Sequence, residues 1–322
     1  RNPLPVAENI LLSPADIESN ELDDLGLLPK YEWHRSVKTS WNISEKAASE
    51  QLEVFIQNGL TDYMERRNFP AEQGVSRLSP YLHFGQISPH KVWHRVECEV
   101  DHTSKDVNQN IEHFFRELGW REFSYYLLYH SPDLPNRNLQ PRFDKFPWVK
   151  VSPHLESWQK GLTGYPLIDA GMRELWQTGY MHNRVRMVVA SFLVKNLLVH
   201  WKCGADWFWD CLVDADLASN SASWQWVAGS GADAAPFFRI FNPITQSEKF
   251  DSEGKYIRSY VPELRNLPKR HLHSPWLAPT SVLDAAGITL GIDYPNPIVD
   301  IKSSRSRALN AFNEQRRRME RP

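Results

Sequence analysis

Large apolar residues recur every three or four positions along most of this chain, which is the spacing of one face of an α-helix. In the first such stretch they are Ala47, Leu52, Phe55, Ile56 and Leu60. Ser44 is a suitable N-cap, and Tyr63 falls near the far end of the predicted helix. The pattern therefore predicts a helix that begins just after Ser44.

The same spacing predicts helices along the rest of the chain. The first of these begins near Ser88, and the second spans 106–130. The third runs from near Pro166 to Gly179, and the last two cover 181–201 and 206–213. Almost no segment shows the alternation typical of a strand. The fold class is predicted to be all-α, with long ordered loops.

The first 40 residues differ from the rest. Pro3, Pro5, Pro14 and Pro29 lie there among acidic, Ser and Asn residues, which favours an extended interdomain linker. We therefore expect a linker over 1–40 and one helical domain over 41–322. Because the chain begins at Arg1 rather than Met, we also expect that an N-terminal part of a longer protein precedes it.

The segment 214–243, DADLASNSASWQWVAGSGADAAPFFRIFNP, combines carboxylates, small turn residues, a Trp pair and an Arg. It has few large apolar residues for a core, so we predict an irregular segment that forms a site. Asp214 and Asp216 would each need an Arg or a polar ligand if buried. Trp224 and Trp226 point to nearly opposite sides, so one can face inward while the other lines a cavity. An acidic turn followed by ordinary aromatic packing is the equal alternative.

Composition and charge narrow the functional classes. The 322 residues include thirteen Trp, which modestly favours flat ligands or redox chemistry, and the net charge of −2 requires any nucleic acid to meet a local basic face. Cys98, Cys203 and Cys211 form no CxxC pair, which favours free thiols and a cytoplasmic location. The longest apolar run, 187–201, is too short and too polar to cross a membrane.

Several local patterns suggest chemistry without deciding it. The turn containing Ser76, Arg77 and Ser79 suits a phosphate but can equally cap a helix, and no Rossmann or P-loop motif occurs. Glu117, Trp120 and Arg121 share a helix face, either as a pocket wall or, with slight preference, as a surface ion pair beside a half-buried Trp.

Three further patterns are left open in the same way. Asn183, Arg186 and Met187 share another helix face. His182 has no partner at metal spacing, so no metal is predicted. The basic end from Lys302 to Arg321 could touch nucleic acid, but a solvated helix face is preferred.

Several motifs together resemble a known family. They are SRLS, ELGWREF, TGYPLIDAGMREL, GYMHNRVRM, DADLASN, WQW and FFRIFNP, and they occur in this order between about Trp33 and Pro297. The resemblance is to the helical FAD-binding domain of photolyases and cryptochromes, and most of all to bacterial class I cyclobutane pyrimidine dimer photolyases. It implies that the missing N-terminal part is an α/β antenna domain, with a folate or deazaflavin chromophore possible there.

The resemblance implies a bent FAD and assigns residues to it. Asp214 would pair with Arg186, Asp216 would approach the polar edge of the flavin, and Asn220 would face its N5 atom. An Asn at 220 resembles photolyases, in which reduced FADH⁻ is the working form, whereas plant cryptochromes usually carry Asp and insect ones Cys. The remaining residues expected at the cofactor are Tyr63, Ser76, Arg77, Ser79, Arg121 and Asn183.

The resemblance also implies light-driven repair of a flipped-out pyrimidine dimer in DNA: excited FADH⁻ passes an electron to the dimer, the ring opens, and the electron returns. Asn183, where (6-4) photolyases carry His, favours a cyclobutane dimer. Trp120 and Trp226 would be the aromatic walls, with Met187 completing the pocket. Glu117 would hydrogen-bond the dimer and share a proton with its radical anion, which requires apolar surroundings that favour the protonated acid.

Two more sets of residues follow from the resemblance. Trp224, Trp201 and Trp148 match the chain of tryptophans that carries electrons to an oxidised flavin. Arg184 and Arg239, with Lys249 as a weaker candidate, match contacts to DNA phosphates. A monomer is expected. The alternatives are a cryptochrome photoreceptor, whose output is partner binding, and a fragment kept for flavin binding alone.

Overall fold

Helices joined by ordered loops make up the computed structural model, which describes residues 19–100, 104–149, 152–237 and 239–319. The first are α1 Arg35–Ser40, α2 Glu45–Asn58, α3 Tyr63–Arg66, α4 Ser79–His83, α5 Pro89–Glu97, α6 Lys105–His130, α7 Leu155–Gln159 and α8 Pro166–Thr178. The others are α9 Asn183–Ser191, α10 Trp201–Cys211, α11 Leu217–Ala228, α12 Pro243–Phe250, α13 Lys255–Tyr260, α14 Lys269–Leu272, α15 Thr280–Ala286 and α16 Ile301–Met319.

Short 3-10 turns and two bridges complete the described ranges. The turns are Leu22–Leu25, Glu32–His34, Pro141–Lys145, Pro262–Leu264 and Pro275–Leu277. No β-strand occurs in those ranges, and isolated bridges join Val149 to Val199 and Leu290 to Tyr294. The all-α prediction is confirmed.

Local capping signals set several helix ends. The Ser44 side chain accepts a hydrogen bond from the Ala47 backbone N–H at 2.9 Å and so begins α2. Pro166 stands at the start of α8, and Gly179 ends that helix with φ 67°, a conformation that glycine adopts without a Cβ clash. These ends agree with the sequence prediction because the signals are local.

Two hydrophobic cores hold most of the helices in place. The larger core lies among α8, α9, α10, α11 and α13 and includes the fully buried Trp158 and Trp201. The smaller core lies among α2, α5 and α6 and includes Phe55 and Phe114. None of the helices in the described ranges combines the length and the apolar character needed to cross a bilayer. The two cores flank the cleft described below.

The predicted helix over 181–201 is interrupted in the structure. Helix α9 ends at Ser191, a π turn follows over Phe192–Asn196, and Leu198 has a φ of 55°. The imidazole of His200 then accepts a hydrogen bond from the Lys202 N–H at 3.1 Å, so α10 begins at Trp201 rather than at 206. The prediction failed because an apolar run gives no signal of where its register changes.

The prediction of an irregular segment over 214–243 is wrong for its first half. Residues 217–228 form α11, and Asp216 is its N-cap, accepting from the Ser219 N–H at 2.8 Å. Helix α11 packs closely on α10. At that crossing, a Cβ on Gly204 would lie 2.1 Å from the Trp224 ring. The glycine on α10 therefore allows the close crossing, and the loop begins only after Gly229, the C-cap of α11.

The linker prediction is corrected in part. Residues 1–18, with Pro3, Pro5 and Pro14, lie outside the described residues. Residues 35–40 form α1 rather than extended chain, and the Trp33 ring stacks on Trp176 of α8 with 6.3 Å between centroids. The boundary at residue 40 stays a prediction. Tyr63 also lies outside α2, in the separate short helix α3.

Candidate functional site

A cleft with two adjoining chambers lies between α6, α9, α11 and the turn 75–79. The large chamber has a volume of about 420 Å³ and the small chamber about 310 Å³, each within the usual range of ligand sites. Residues from both cores reach the cleft. Its walls include Glu117, Asn183, Arg186, Asp214 and Asp216, each of which lines both chambers.

The large chamber brings together the residues assigned to the substrate. Helix α6 contributes Glu117 and Trp120, α9 contributes Asn183 and Met187, and α11 contributes Trp226. Asn220 lines the same chamber, and its Nδ2 donates to the Ala205 carbonyl at 2.9 Å. The shared faces read from helical spacing are thus walls of one cavity. Trp120 is 48% exposed, so this chamber opens to solvent at its rim.

The surroundings of Glu117 differ from the prediction. An Nη1 atom of Arg67 donates to its carboxylate at 2.5 Å, and the Glu117 side chain is 34% exposed. The apolar surroundings expected for a proton-sharing acid are therefore absent around this carboxylate. The alternative ion pair with Arg121 is also wrong, because Arg121 pairs with Glu122 at 2.6 Å.

The small chamber collects the residues assigned to the cofactor phosphates. Ser76, Arg77, Ser79, Tyr63 and Arg121 line it. The Arg77 backbone has a φ of 53°, which is uncommon for a residue with a Cβ. Its guanidinium lies 4.8 Å from the ring centroids of both Trp41 and Tyr180. The aromatic contacts therefore hold this turn in an unusual backbone conformation beside the chamber.

The predicted pair of Asp214 and Arg186 is present. Nη2 of Arg186 donates to both carboxylate oxygens, at 2.8 and 3.1 Å, and Ser79 Oγ donates at 2.6 Å. Burial lowers the pKa of Arg186, but the charge of Asp214 and the hydrogen bond to it outweigh burial, and the pKa lies above its usual value. The pair joins the turn 75–79 to α9 across the cleft.

Asp216 meets a polar partner rather than an Arg. The Tyr125 hydroxyl donates to its carboxylate at 2.6 Å, in addition to the helix-capping bond from Ser219. Burial raises the pKa of Asp216, but these hydrogen bonds outweigh burial and hold it below its usual value. Asp216 is therefore a charged group on the chamber wall at neutral pH.

The donor set of the small chamber fits an anionic group such as a diphosphate. Four guanidinium groups line it, and three carboxylates, those of Glu117, Asp214 and Asp216, oppose them. The cationic side chains are Arg67, Arg77, Arg121 and Arg186. The excess positive charge beside a turn with Ser hydroxyls is the chemistry that an anion needs.

The three tryptophans of the predicted chain run from the large chamber outward. Trp224 lines the chamber, Trp201 is fully buried, and Trp148 is partly exposed. The His200 ring lies between the outer two, with centroid distances of 5.3 Å to Trp148 and 5.3 Å to Trp201. The Trp201 N–H donates to Asn138 Oδ1 at 2.8 Å. The rings of Trp148, His200 and Trp201 thus form an aromatic chain that leads from a partly exposed residue into the larger core, where Trp224 also lies.

The three predicted phosphate contacts differ in exposure. Arg239 and Lys249 are exposed, whereas Arg184 is half-buried with its guanidinium 4.5 Å from the Phe250 ring centroid. Burial, together with the charges of Arg67 and Arg239, lowers the pKa of Arg184. Arg184, Arg239 and Lys249 thus provide local positive charge, which DNA binding requires because the net charge of the chain is only −2.

His182 serves a structural role. Its Nδ1 accepts from the Arg184 N–H at 3.2 Å and caps α9. Burial, followed by three nearby Arg charges, lowers its pKa to about 3. Among the described residues, no group of three or more His, Cys, Asp and Glu side chains is arranged to hold a metal ion.

The sequence analysis missed three residues of the cleft. Arg67 pairs with Glu117, Tyr125 with Asp216, and Tyr180 lies between Arg77 and Arg186. Arg67 stands four positions after Tyr63, and its guanidinium lies 5.0 Å from the Tyr63 ring centroid. Because residues four apart are neighbours on a helix, this spacing could have placed Arg67 beside Tyr63 in the cleft. No local signal marks the other two: Tyr125 meets Asp216 91 positions further along the chain, and Tyr180 meets Arg77 from a distant turn.

Comparison with known proteins shows what this arrangement is similar to. A family model described as the FAD binding domain of DNA photolyase matches residues 114–314. A deoxyribodipyrimidine photo-lyase of Agrobacterium fabrum is 50% identical over 296 residues, which are 92% of this chain and 61% of that protein. Cryptochrome-1 of Arabidopsis thaliana is 40% identical over 284 residues, 87% of this chain and 41% of that protein.

A solved structure has the same fold. The bacterial class III photolyase of Agrobacterium tumefaciens superposes with a TM-score of 0.89 at 48% identity, covering 95% of this chain and 64% of that chain. This chain therefore spans less than two thirds of the length of each of these proteins. The placement nearest to class I enzymes stays a prediction beside this class III relative.

Proposed function

The chain belongs to the family of DNA photolyases and cryptochromes, and we propose that it repairs cyclobutane pyrimidine dimers in DNA by light-driven electron transfer from reduced FAD. The observation that carries this proposal is the large chamber. There Glu117, Trp120, Asn183 and Trp226 surround one open cavity that adjoins a cationic chamber. A flipped-out dimer of two adjacent pyrimidines needs aromatic walls with a few polar groups between them.

The residues of the small chamber would hold the phosphates of FAD. Ser76, Arg77 and Ser79 offer donors on one turn, and Arg121 and Tyr63 line the same chamber. The Arg186 and Asp214 pair and the Asp216 carboxylate would meet the polar edge of the flavin, with Asn220 beside it. When bound, reduced FAD supplies an electron on absorbing blue light, which is the chemistry that the proposal needs.

The residues of the large chamber would hold the dimer. Trp120 and Trp226 would stack against the two thymine rings and exclude water from them. Met187 and Asn183 would close the wall toward α9. Glu117 would accept or share a hydrogen bond with the dimer while Arg67 holds its carboxylate in place. This makes Glu117 a positioned hydrogen-bonding group instead of an isolated acid.

The test is repair of a thymine-dimer oligonucleotide under blue light by the reduced, FAD-loaded protein. Recovery of thymine absorbance in light, with none in a dark control, supports the proposal. Flavin photoreduction without any recovery in light would contradict repair and support the cryptochrome alternative.

The role of Glu117 has its own test. Glu117→Gln removes the charge and should lower the repair yield per absorbed photon. Glu112→Gln is a matched control, since this exposed carboxylate on the same helix pairs with Arg116 at the surface and lines neither chamber. An unchanged yield in Glu117→Gln would remove this residue from the proposed mechanism.

A cryptochrome photoreceptor is the second candidate, because Cryptochrome-1 of Arabidopsis thaliana is 40% identical to the chain. It would use the same flavin and tryptophans, and its output would be binding of a partner. Binding of damaged over undamaged DNA separates the two, since a receptor has no use for a dimer pocket. The antenna chromophore, the monomeric state and the cytoplasmic location stay predictions.

A further inference from the structure

A lysine is fully buried beneath the proposed DNA-binding surface. Lys195 is only 1% exposed, although it carries an ammonium group, and its hydrogen-bond acceptor is a backbone carbonyl rather than a carboxylate. Burial of a charge without a counter-ion is costly, so a buried lysine that persists needs a local reason.

The contacts of Lys195 lie on one loop. Its Nζ donates to the backbone carbonyl of Arg239 at 2.8 Å and lies 5.5 Å from the ring centroid of Phe237. The Arg239 N–H in turn donates to the Pro236 carbonyl at 2.8 Å, and the Phe241 N–H donates to Ser191 Oγ at 3.3 Å. The Lys195 ammonium group therefore holds the backbone of Arg239 in place, while the Arg239 side chain is exposed.

The π turn explains how Lys195 reaches that loop. An extra residue in the turn 192–196 changes the helical register, and such turns often occur at functional sites. The next residue, Asn196, is also buried and donates to Ser304 of α16 at 2.9 Å. The turn thus directs one buried polar side chain to the Arg239 loop and one to α16.

We propose that Lys195 is a positioning residue for DNA: its ammonium group holds the Arg239 backbone so that the exposed Arg239 guanidinium meets a phosphate. This inference rests on the proposed function, because it requires that the chain binds DNA. Lys195 itself touches no DNA in this arrangement. Its effect is to restrict the loop before binding, which reduces the ordering that a phosphate contact would otherwise require.

The protonation state of Lys195 agrees with this geometry. Burial, and next the charge of Arg239, lower its pKa to about 7. On the elements packed around the turn, Arg307 of α16 donates to the Asn196 carbonyl at 2.6 Å, and His200 is the N-cap of α10. Below pH 7 the bond to Arg239 is charge-assisted, and above pH 7 it is weaker.

The experiment measures binding of a dimer-containing duplex by the full FAD-loaded chain over a range of salt concentrations. Each phosphate contact contributes about 0.9 to the slope of log K against log salt. Arg239→Ala should lower the slope by about that amount. Lys195→Met, which keeps the length of the side chain and removes the donor, should lower it equally, and the double variant should be no lower than either.

A matched control and a variant-free measurement complete the test. Lys202→Met removes a lysine of α10 that pairs with Asp206, and it should leave the slope unchanged. In the unmodified chain, affinity should fall between pH 6 and pH 8.5, and this fall should be absent in Arg239→Ala. The pH profile keeps the inference testable if Lys195→Met does not fold.

The outcomes separate the two proposals. If the unmodified chain does not prefer the damaged duplex, the proposed function fails. If it binds and Arg239→Ala lowers the slope while Lys195→Met does not, only the role of Lys195 is overturned. A Lys195→Met effect that adds to that of Arg239→Ala would also overturn it, since the two residues would then act independently.

Discussion

At the scale of single residues, the cleft depends on a few charged groups that are buried with specific partners. Asp214 and Arg186 illustrate this, because the side chain of Asp214 is 3% exposed and both of its oxygens are occupied. Removing one partner leaves the other charge buried and uncompensated, which costs far more than the net value of the pair.

Asp214→Asn should therefore lower the free energy of unfolding by about 3 kcal/mol and should weaken retention of FAD. Asp206→Asn breaks the exposed pair with Lys202 and should cost at most about 1 kcal/mol. Urea unfolding of both variants, with flavin absorbance after gel filtration, measures the two effects. Equal decreases in the free energy of unfolding would show that the buried pair contributes no more to stability than the exposed pair.

His182 gives the protein a specific acid sensitivity. Its pKa falls from an ordinary 6.5 to about 3 in the fold, mainly through burial. As the pH falls below 6.5, His182 becomes protonated in the unfolded chain but stays neutral in the folded protein. Protonation therefore favours the unfolded state, and the free energy of unfolding decreases. Between pH 7 and pH 5 the His182 contribution should be about 2 kcal/mol. His182→Asn keeps a capping acceptor for α9 and should reduce the loss by that amount, as measured by urea unfolding at both pH values. An identical pH dependence in both proteins would argue against the effect.

At the scale of helices, the crossing of α10 and α11 is set by the absence of a side chain at Gly204. A Cβ there would lie 2.1 Å from the Trp224 ring and 2.7 Å from Leu193. This close approach places Trp224 between the core and the large chamber. A crossing so tight cannot accept an added methyl group without movement of one helix.

Gly204→Ala should destabilise the protein by about 1–3 kcal/mol and should shift the fluorescence of the tryptophans. Gly119→Ala is the matched control, since a Cβ on this exposed glycine of α6 meets nothing within 4 Å. That variant should stabilise the protein by about 0.5–1 kcal/mol, because Ala is the better helix former. Thermal unfolding compares them, and a stable Gly204→Ala would mean that the crossing is looser than the structure indicates.

At the scale of the whole molecule, an aromatic chain leads from the partly exposed Trp148 through His200 to the buried Trp201. Trp224, Trp201 and Trp148 come from helices and loops far apart along the chain, and the His200 ring packs between the last two. Because Trp224 and Trp201 are buried in the larger core, this path is also part of what stabilises the fold.

Trp148→Phe should slow photoreduction of oxidised flavin strongly, because the partly exposed ring is where electrons would enter. Repair by protein that is reduced beforehand should be unchanged, since Trp148 lines neither chamber of the cleft. Transient absorption after a light pulse measures the first effect, and the oligonucleotide assay measures the second. Photoreduction at the normal rate would exclude Trp148 from the path.

The sequence by itself determined the all-α fold and the helices whose ends are marked by local signals, such as Ser44 before α2 and Gly179 after α8. It also determined which residues share a helix face, because helical spacing is fixed. Both are consequences of interactions between residues a few positions apart.

Only the tertiary structure decided where apolar runs break and which groups meet across the cleft. The π turn before Leu198 packs on α16, the helix over 217–228 packs on α6 and α10, and Arg67 pairs with Glu117, which lies 50 positions further along the chain. Burial makes each polar group take whichever partner the packing brings near, and a spacing rule carries no information about such partners.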